Sequence, residues 1–146
     1  MTMSREAGFV DANVLVYAVD KHSPQYAVSR ALLDEARKGS ATLFVSSQVL
    51  CELFSILTSA RRVLKPLSPD NALRAISDFL GFLKVVPIPA QTVEGWIELA
   101  SRRTVKGGEI FDLQIVATMK SNGILRIYTF NKSDFEVFAE LEVVTP

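Results

Sequence analysis

Three carboxylates stand inside apolar segments of this 146-residue chain: Asp11 in GFVDANVLVYA, Glu52 in VLCELFSIL and Asp112 in EIFDLQIVA. Burying an ionised carboxylate without a partner costs several kcal/mol, so each must be paired or drawn into a cleft. On a helix, Glu52 shares its stripe with Val49 and Ile56, and Asp112 with Ile115, Val116 and Met119, so both project from largely apolar faces. Any one of the three is equally well explained by a local ion pair with Arg or Lys. Three together point further, because gathered carboxylates repel and take up protons unless a cation compensates them. Oxygen donors with no clustered His or Cys suit Mg²⁺ or Mn²⁺. Such an ion neutralises charge on a phosphodiester and lowers the pKa of a water, which makes hydrolysis of nucleic acid the natural chemistry.

The elements that must position these acids follow from pattern and punctuation. AGFVDA reads as a buried strand that passes into a helix near Asn13. SPQYAVSRALLDEARKG reads as a helix with Ser23 as cap, Pro24 at its first position, apolar Ala27, Ala31, Leu32 and Leu33, and Gly39 as terminator. ATLFVSS is a strand that hands over at Ser46 or Ser47 to the long helical stretch QVLCELFSILTSARRVL. Ser68 and Pro69 open the helix NALRAISDFLGFL; KVVPI is a strand and QTVEGWIELASRR a helix. Gly107 and Gly108 break the chain before the helix EIFDLQIVATMKSNG, which Gly123 closes; RIYTF and LEVVT are strands around a turn or short helix at NKSDFEVF. Short apolar strands alternating with helices define an α/β domain with a mostly parallel central sheet and right-handed crossovers. In such a sheet ligands bind outside the carboxyl ends of the strands, where Asp11 would lie.

Composition sets the bounds. With 49% hydrophobic and 22% charged residues, the chain fits one ordinary domain over residues 1–146. Sixteen Lys plus Arg balance sixteen Asp plus Glu, so no global field draws a polyanion and any such contact must be local. The single cysteine, Cys51, forms no internal disulfide and reads as a small core hydrophobe within VLCELF. The N-terminus has no basic stretch leading into an apolar run, and no window reaches the ~20 apolar residues of a membrane span, so a cytoplasmic location is expected.

The segments FVDANVLVYA, SSQVLCELFSILT and IFDLQIVATMKSNGILRIYTFNKSDF, in that order, resemble the PIN-domain ribonucleases, and within them the VapC-type toxins of toxin–antitoxin pairs. The similarity covers nearly the whole chain. It implies a three-layer α/β/α fold, with the family's three acids falling on Asp11, Glu52 and Asp112 as catalytic and metal-holding residues. It also implies Mg²⁺- or Mn²⁺-dependent endonucleolytic cleavage of RNA, a homodimer, and an antitoxin partner that inserts a segment near the acids. One departure stands out. Where many members carry a fourth acid, this chain has Asn131, with Asp134 three residues on. Asparagine coordinates through its carbonyl oxygen but adds no charge, which leaves one or two metal ions open.

Other residues have both structural and functional readings. Asn131 also suits the cap of the turn NKSD, and Asp134 the start of a short helix. Asn13 and Thr129 each lie two positions from a proposed site residue, close enough to hydrogen-bond a carboxylate or water. Glu109 shares a stripe with Asp112, although a first-turn acid is favoured on any helix. Candidate RNA contacts are Arg102, Arg103 and Lys106, with Arg61, Arg62 and Lys65 behind them; both sets end helices, where cations offset the dipole without a ligand. His22 reads as a loop residue, and Tyr17, Tyr26, Phe54 and Phe82 as core or dimer contacts. Two rivals remain: a PIN-fold module that binds RNA or protein and cleaves poorly because of Asn131, and, more remotely, an aspartyl-phosphate enzyme, whose paired acids are missing here.

Overall fold

The central strand of the sheet is the most completely buried of its strands. In the computed structural model, which describes residues 7–146, β1 (Gly8–Val10) is wholly buried between β2 (Leu43–Val45) and β4 (Arg126–Tyr128). The sheet continues outward to β3 (Lys84–Val85) and β5 (Glu142–Val144) in the order β3-β2-β1-β4-β5, and every pairing is parallel. A strand flanked on both sides and covered on both faces must be apolar throughout, as GFV is. The chain runs outward through β2 and β3, then returns to the other side of β1 for β4 and β5. The adjacent carboxyl ends of β1 and β4 therefore form a topological switch point.

The helices that link the strands form two sets. On one side α1 (Ala12–Val19) packs against α2 (Tyr26–Arg37) and α3 (Ser47–Leu57), and α3 packs against α4 (Pro69–Leu80); separately, α5 (Thr92–Ser101) packs against α6 (Glu109–Ser121). A short α7 (Lys132–Phe135) precedes β5. This is the expected three-layer α/β/α arrangement, with Phe9, Val10, Leu15, Leu43, Leu53, Ile115 and Ile127 in its core. Close packing of β1 depends on Gly8, where an added Cβ would lie 2.5 Å from Cε2 of the Tyr128 ring. Gly123 closes α6 at φ 69°, the left-handed conformation that glycine adopts without strain.

Four local expectations are corrected. Ser23 and Pro24 do not open α2: the Ser23 hydroxyl accepts from the Gln25 N–H at 3.1 Å in a preceding turn, and Gln25 stands at the N-cap position. Within α2, Leu32 and Leu33 are buried, whereas Ala27 and Ala31 face outward. The helix after Ser46 stops at Leu57, where Thr58 turns its hydroxyl back to the Phe54 carbonyl at 2.9 Å, so Arg61 and Arg62 lie in the turn beyond the helix. Cys51 is exposed, because Val49, Leu53 and Leu57 form the buried stripe of α3 and a residue two positions from Val49 falls on the opposite face. Among the described residues, no helix is long and apolar enough to cross a membrane. The first six residues, which the sequence reading took to carry no targeting segment, lie outside the described ones.

Candidate active site

Asp11 interrupts its apolar run because the strand ends at Val10 and the helix begins at Ala12. With φ −75° and ψ 153° it is the N-cap of α1, and its Oδ1 accepts the Ala12 N–H at 2.8 Å. Its Oδ2 accepts from the Thr129 hydroxyl at 2.8 Å and from Asn13 Nδ2 at 3.3 Å. Thr129 Oγ1 in turn accepts from Asn13 Nδ2 at 3.2 Å and from the Asn131 N–H at 3.0 Å, while Asn13 Oδ1 accepts the Phe130 N–H at 3.2 Å. These bonds close a network across the ends of β1 and β4. Asp11 keeps only 7% of its surface exposed, and burial pushes its carboxyl up from the ordinary range against the pull of Thr129 and Ala12, with Asp134 adding to the rise.

Glu52 and Asp112 reach the same region from separate helices. The Ser46 hydroxyl accepts the Val49 N–H at 3.4 Å and starts α3, which carries Glu52 one turn further on. Burial raises the Glu52 carboxyl, with Asp11 adding to the rise; Gln48 and, more weakly, Arg62 oppose it. Asp112 lies in the first turn of α6 together with Glu109. Its carboxyl is pushed up to about 7, first by burial and then by the charges of Asp134, Asp11, Glu52 and Glu109. Among the described residues, none of the ion pairs includes Asp11, Glu52 or Asp112. Asp11 acts electrostatically on Glu52, and both act on Asp112, for which no neutralising cation stands among the described residues.

The donor set is therefore all oxygen and undercompensated, which fits a hard divalent cation. As placed, no three His, Cys, Asp or Glu side chains among the described residues form a ready-made cage. Mg²⁺ does not require one: it keeps several waters and binds through one or two carboxylates together with substrate phosphate.

A cleft of about 210 Å³ opens beside Asp112, lined also by Arg103, Glu109 and Asp134. A wider apolar groove of about 710 Å³ runs past Tyr17, Leu57 and Leu64 and contains none of the three acids. The Arg103 guanidinium lies 5.1 Å from the centre of the Phe138 ring, so it stays at the acidic cleft. Arg102, one residue away, is paired with Glu98 and lines a different groove between α5 and α6. Lys106 is exposed in the turn before α6 and does not line the acidic cleft. Asn131 occupies the N-cap position of α7, yet its side chain makes no cap bond. His22 is an exposed turn residue, while Tyr17 packs edge-on against Phe130 at 5.2 Å and Phe82 against Phe79 at 6.2 Å. Gln48 went unnoticed in the sequence; its amide donates both to Glu52 and to the carbonyl of Phe111. The signal available was its i, i+4 spacing from Glu52.

A parallel α/β sheet with Asp11 at its switch point, and Glu52 of α3 and Asp112 of α6 within electrostatic reach of it, defines an acid-centred α/β protein. More specifically, the PIN domain profile matches residues 8–141, and the chain belongs to the PIN domain family. Ribonuclease VapC24 of Mycobacterium tuberculosis is 26% identical over 142 residues, spanning 94% of each chain. Among solved structures, M. tuberculosis VapC20, described as a sarcin-ricin loop cleaving toxin, superposes with a TM-score of 0.71 at 19% identity, covering 94% of this chain and 98% of that one. VapBC2 of Rickettsia felis, bound to a DNA fragment from its promoter, superposes at 0.66 with 21% identity, covering 97% and 99%. These structures share the fold.

Proposed function

We propose that the chain is a divalent-metal-dependent endoribonuclease and the toxin of a toxin–antitoxin pair. The observation that carries this reading is the placing of Asp112, which shares a cleft with Glu109 and Asp134, lies within electrostatic reach of Asp11 and Glu52, and makes no ion pair among the described residues. Membership of the PIN family and the ribonuclease and toxin names of its relatives support the same reading. Asp11, Glu52 and Asp112 would hold Mg²⁺ or Mn²⁺, with Asp134 adding negative charge beside them. The chemistry such an ion supplies when bound is Lewis acidity toward the phosphodiester and a more acidic water for in-line attack. Asn13 and Thr129 fix the rotamer of Asp11 through their hydrogen bonds. Arg103 at the cleft, with Lys106 nearby in sequence, is suited to the RNA backbone, whereas Arg102 is occupied by Glu98. Asn131 adds no charge, which favours one ion over two. The solved toxin–antitoxin complexes among its structural relatives, such as one from Klebsiella pneumoniae, support an antitoxin as partner. A homodimer and a cytoplasmic location complete the reading.

The purified protein should cut RNA with Mg²⁺ or Mn²⁺ and stop when EDTA is added. Asp11→Asn and Asp112→Asn should each abolish cleavage with the far-UV circular dichroism unchanged. Cleavage retained by both variants would overturn the site. RNA bound but never cut by the wild-type protein would favour the binding-module alternative.

A further inference from the structure

One carboxamide links two of the acids. Gln48 Nε2 donates to Glu52 Oε1 at 3.0 Å and to the backbone carbonyl of Phe111 at 2.9 Å, the residue immediately before Asp112. Both partners are oxygens, and a carbonyl can only accept, so the amide must present its nitrogen to them; the flipped orientation would set oxygen against oxygen. The remaining Gln48 Oε1 is buried without a hydrogen-bond partner, so this orientation leaves an acceptor unsatisfied in order to keep both donors on Glu52 and Phe111. The link joins helices whose main packing lies elsewhere: α3 packs chiefly on α1 and α4, and α6 chiefly on α5.

We propose that Gln48 is a positioning residue, whose amide holds the Glu52 carboxylate in one rotamer and ties it to the turn that carries Asp112. The inference rests on the reading of Glu52 as a metal-holding residue. A Glu side chain has three rotatable bonds; released from Gln48, the half-buried Glu52 samples orientations that no longer face Asp112. Partners that orient metal-holding side chains typically govern affinity about 10–100-fold. Gln48 would do so without touching the ion.

The test uses the full chain and Mn²⁺ alone, with free Mn²⁺ read by its electron paramagnetic resonance signal and folding read by thermal unfolding without metal. Gln48→Met should raise the Mn²⁺ dissociation constant roughly 10-fold and leave the metal-free melting midpoint close to wild type. In a Glu52→Gln background the same substitution should cause no further loss, because its effect passes through Glu52. Gln48→Ala, which leaves room for water, carries the same expectations should the Met variant be unstable. Wild-type Mn²⁺ affinity in the Gln48 variants, with Glu52→Gln weakened, would overturn this inference and leave the site reading standing. Unaltered affinity in Glu52→Gln itself would overturn both.

Discussion

The Thr129 hydroxyl donates to Asp11 Oδ2 at 2.8 Å across 118 positions of sequence. That bond joins the first residue after β1 to the first residue after β4, so the switch point of the sheet is also where its most buried carboxylate is oriented. The same hydroxyl oxygen accepts from Asn13 and from the Asn131 backbone, and is thereby fully used.

Thr129→Val keeps the shape of the side chain and removes all three bonds. It should destabilise the protein by about 1–3 kcal/mol, because a buried carboxylate and two donors lose a partner. It should also lower cleavage, since Asp11 is left with fewer constraints on its rotamer. Thr129→Ser should retain both properties. Urea unfolding and a cleavage assay check the pair, and a Val variant as stable as the Ser variant would contradict the network.

The raised Asp112 carboxyl has a definite sign for stability. Unfolded, this group titrates near 3.8; folded, it is pushed up to about 7. Between those values the native state binds more protons than the unfolded state, so this contribution weakens the fold as pH rises through that window. Asp11 and Glu52, both raised, act in the same direction. Metal-free protein should therefore lose stability from pH 5 to pH 8. Asp112→Asn should flatten that slope and raise stability at pH 8 by about 1 kcal/mol, allowing for the partial exposure of Asp112, or roughly 2–4 °C. A steeper loss in the variant would contradict the assignment.

Metal should reverse the same penalty. A ligand bound only by the native state stabilises by about 2.7 kcal/mol at one hundred times its dissociation constant. Wild-type melting should rise with Mn²⁺ and fall back with EDTA, whereas Asp11→Asn should respond little. Equal responses in the two proteins would place the ion elsewhere.

The acids were legible in the sequence because a carboxylate in an apolar run contradicts its surroundings, and the strand-to-helix reading at Asp11 follows from the same conflict. Gln48 was not, since its second partner is a backbone carbonyl 63 positions away, and no periodicity reports such a contact. The end of α3 was overrun because Arg61, Arg62 and Val63 continue a helical composition; the turn depends on Thr58 bonding back to Phe54. Cys51 was misplaced for a simpler reason: its immediate neighbours are apolar, but position on a helix is set by residues three and four away. One role was also read for Arg102 and Arg103 together, but α5 ends at Ser101 and the chain turns away after the Arg102 cap, which leaves the two side chains in different grooves.

Gly8 offers a purely steric test. A methyl group there would meet the Tyr128 ring at 2.5 Å, far inside any contact distance. Gly8→Ala should cost about 1–3 kcal/mol, as overpacking a close-packed interior does. Because β1 ends two residues later at Val10, the strand shift should reach Asp11 and lower cleavage as well. Wild-type stability with wild-type cleavage would show that the ring swings aside freely.

Arg102 and Arg103 separate electrostatic contact with RNA from mere abundance of charge. Arg103 stands at the acidic cleft over Phe138, whereas Arg102 is bound to Glu98 in another groove. Neutralising one phosphate contact to single-stranded nucleic acid reduces the slope of log affinity against log salt by about 0.7. Arg103→Ala should show that reduction, together with a several-fold rise in KM and a smaller change in kcat, because the contact serves binding in ground and transition states alike. Arg102→Ala should leave slope and KM near wild type. Measuring both across a salt series decides the matter: a larger change at Arg102 would move the RNA path onto the groove between α5 and α6.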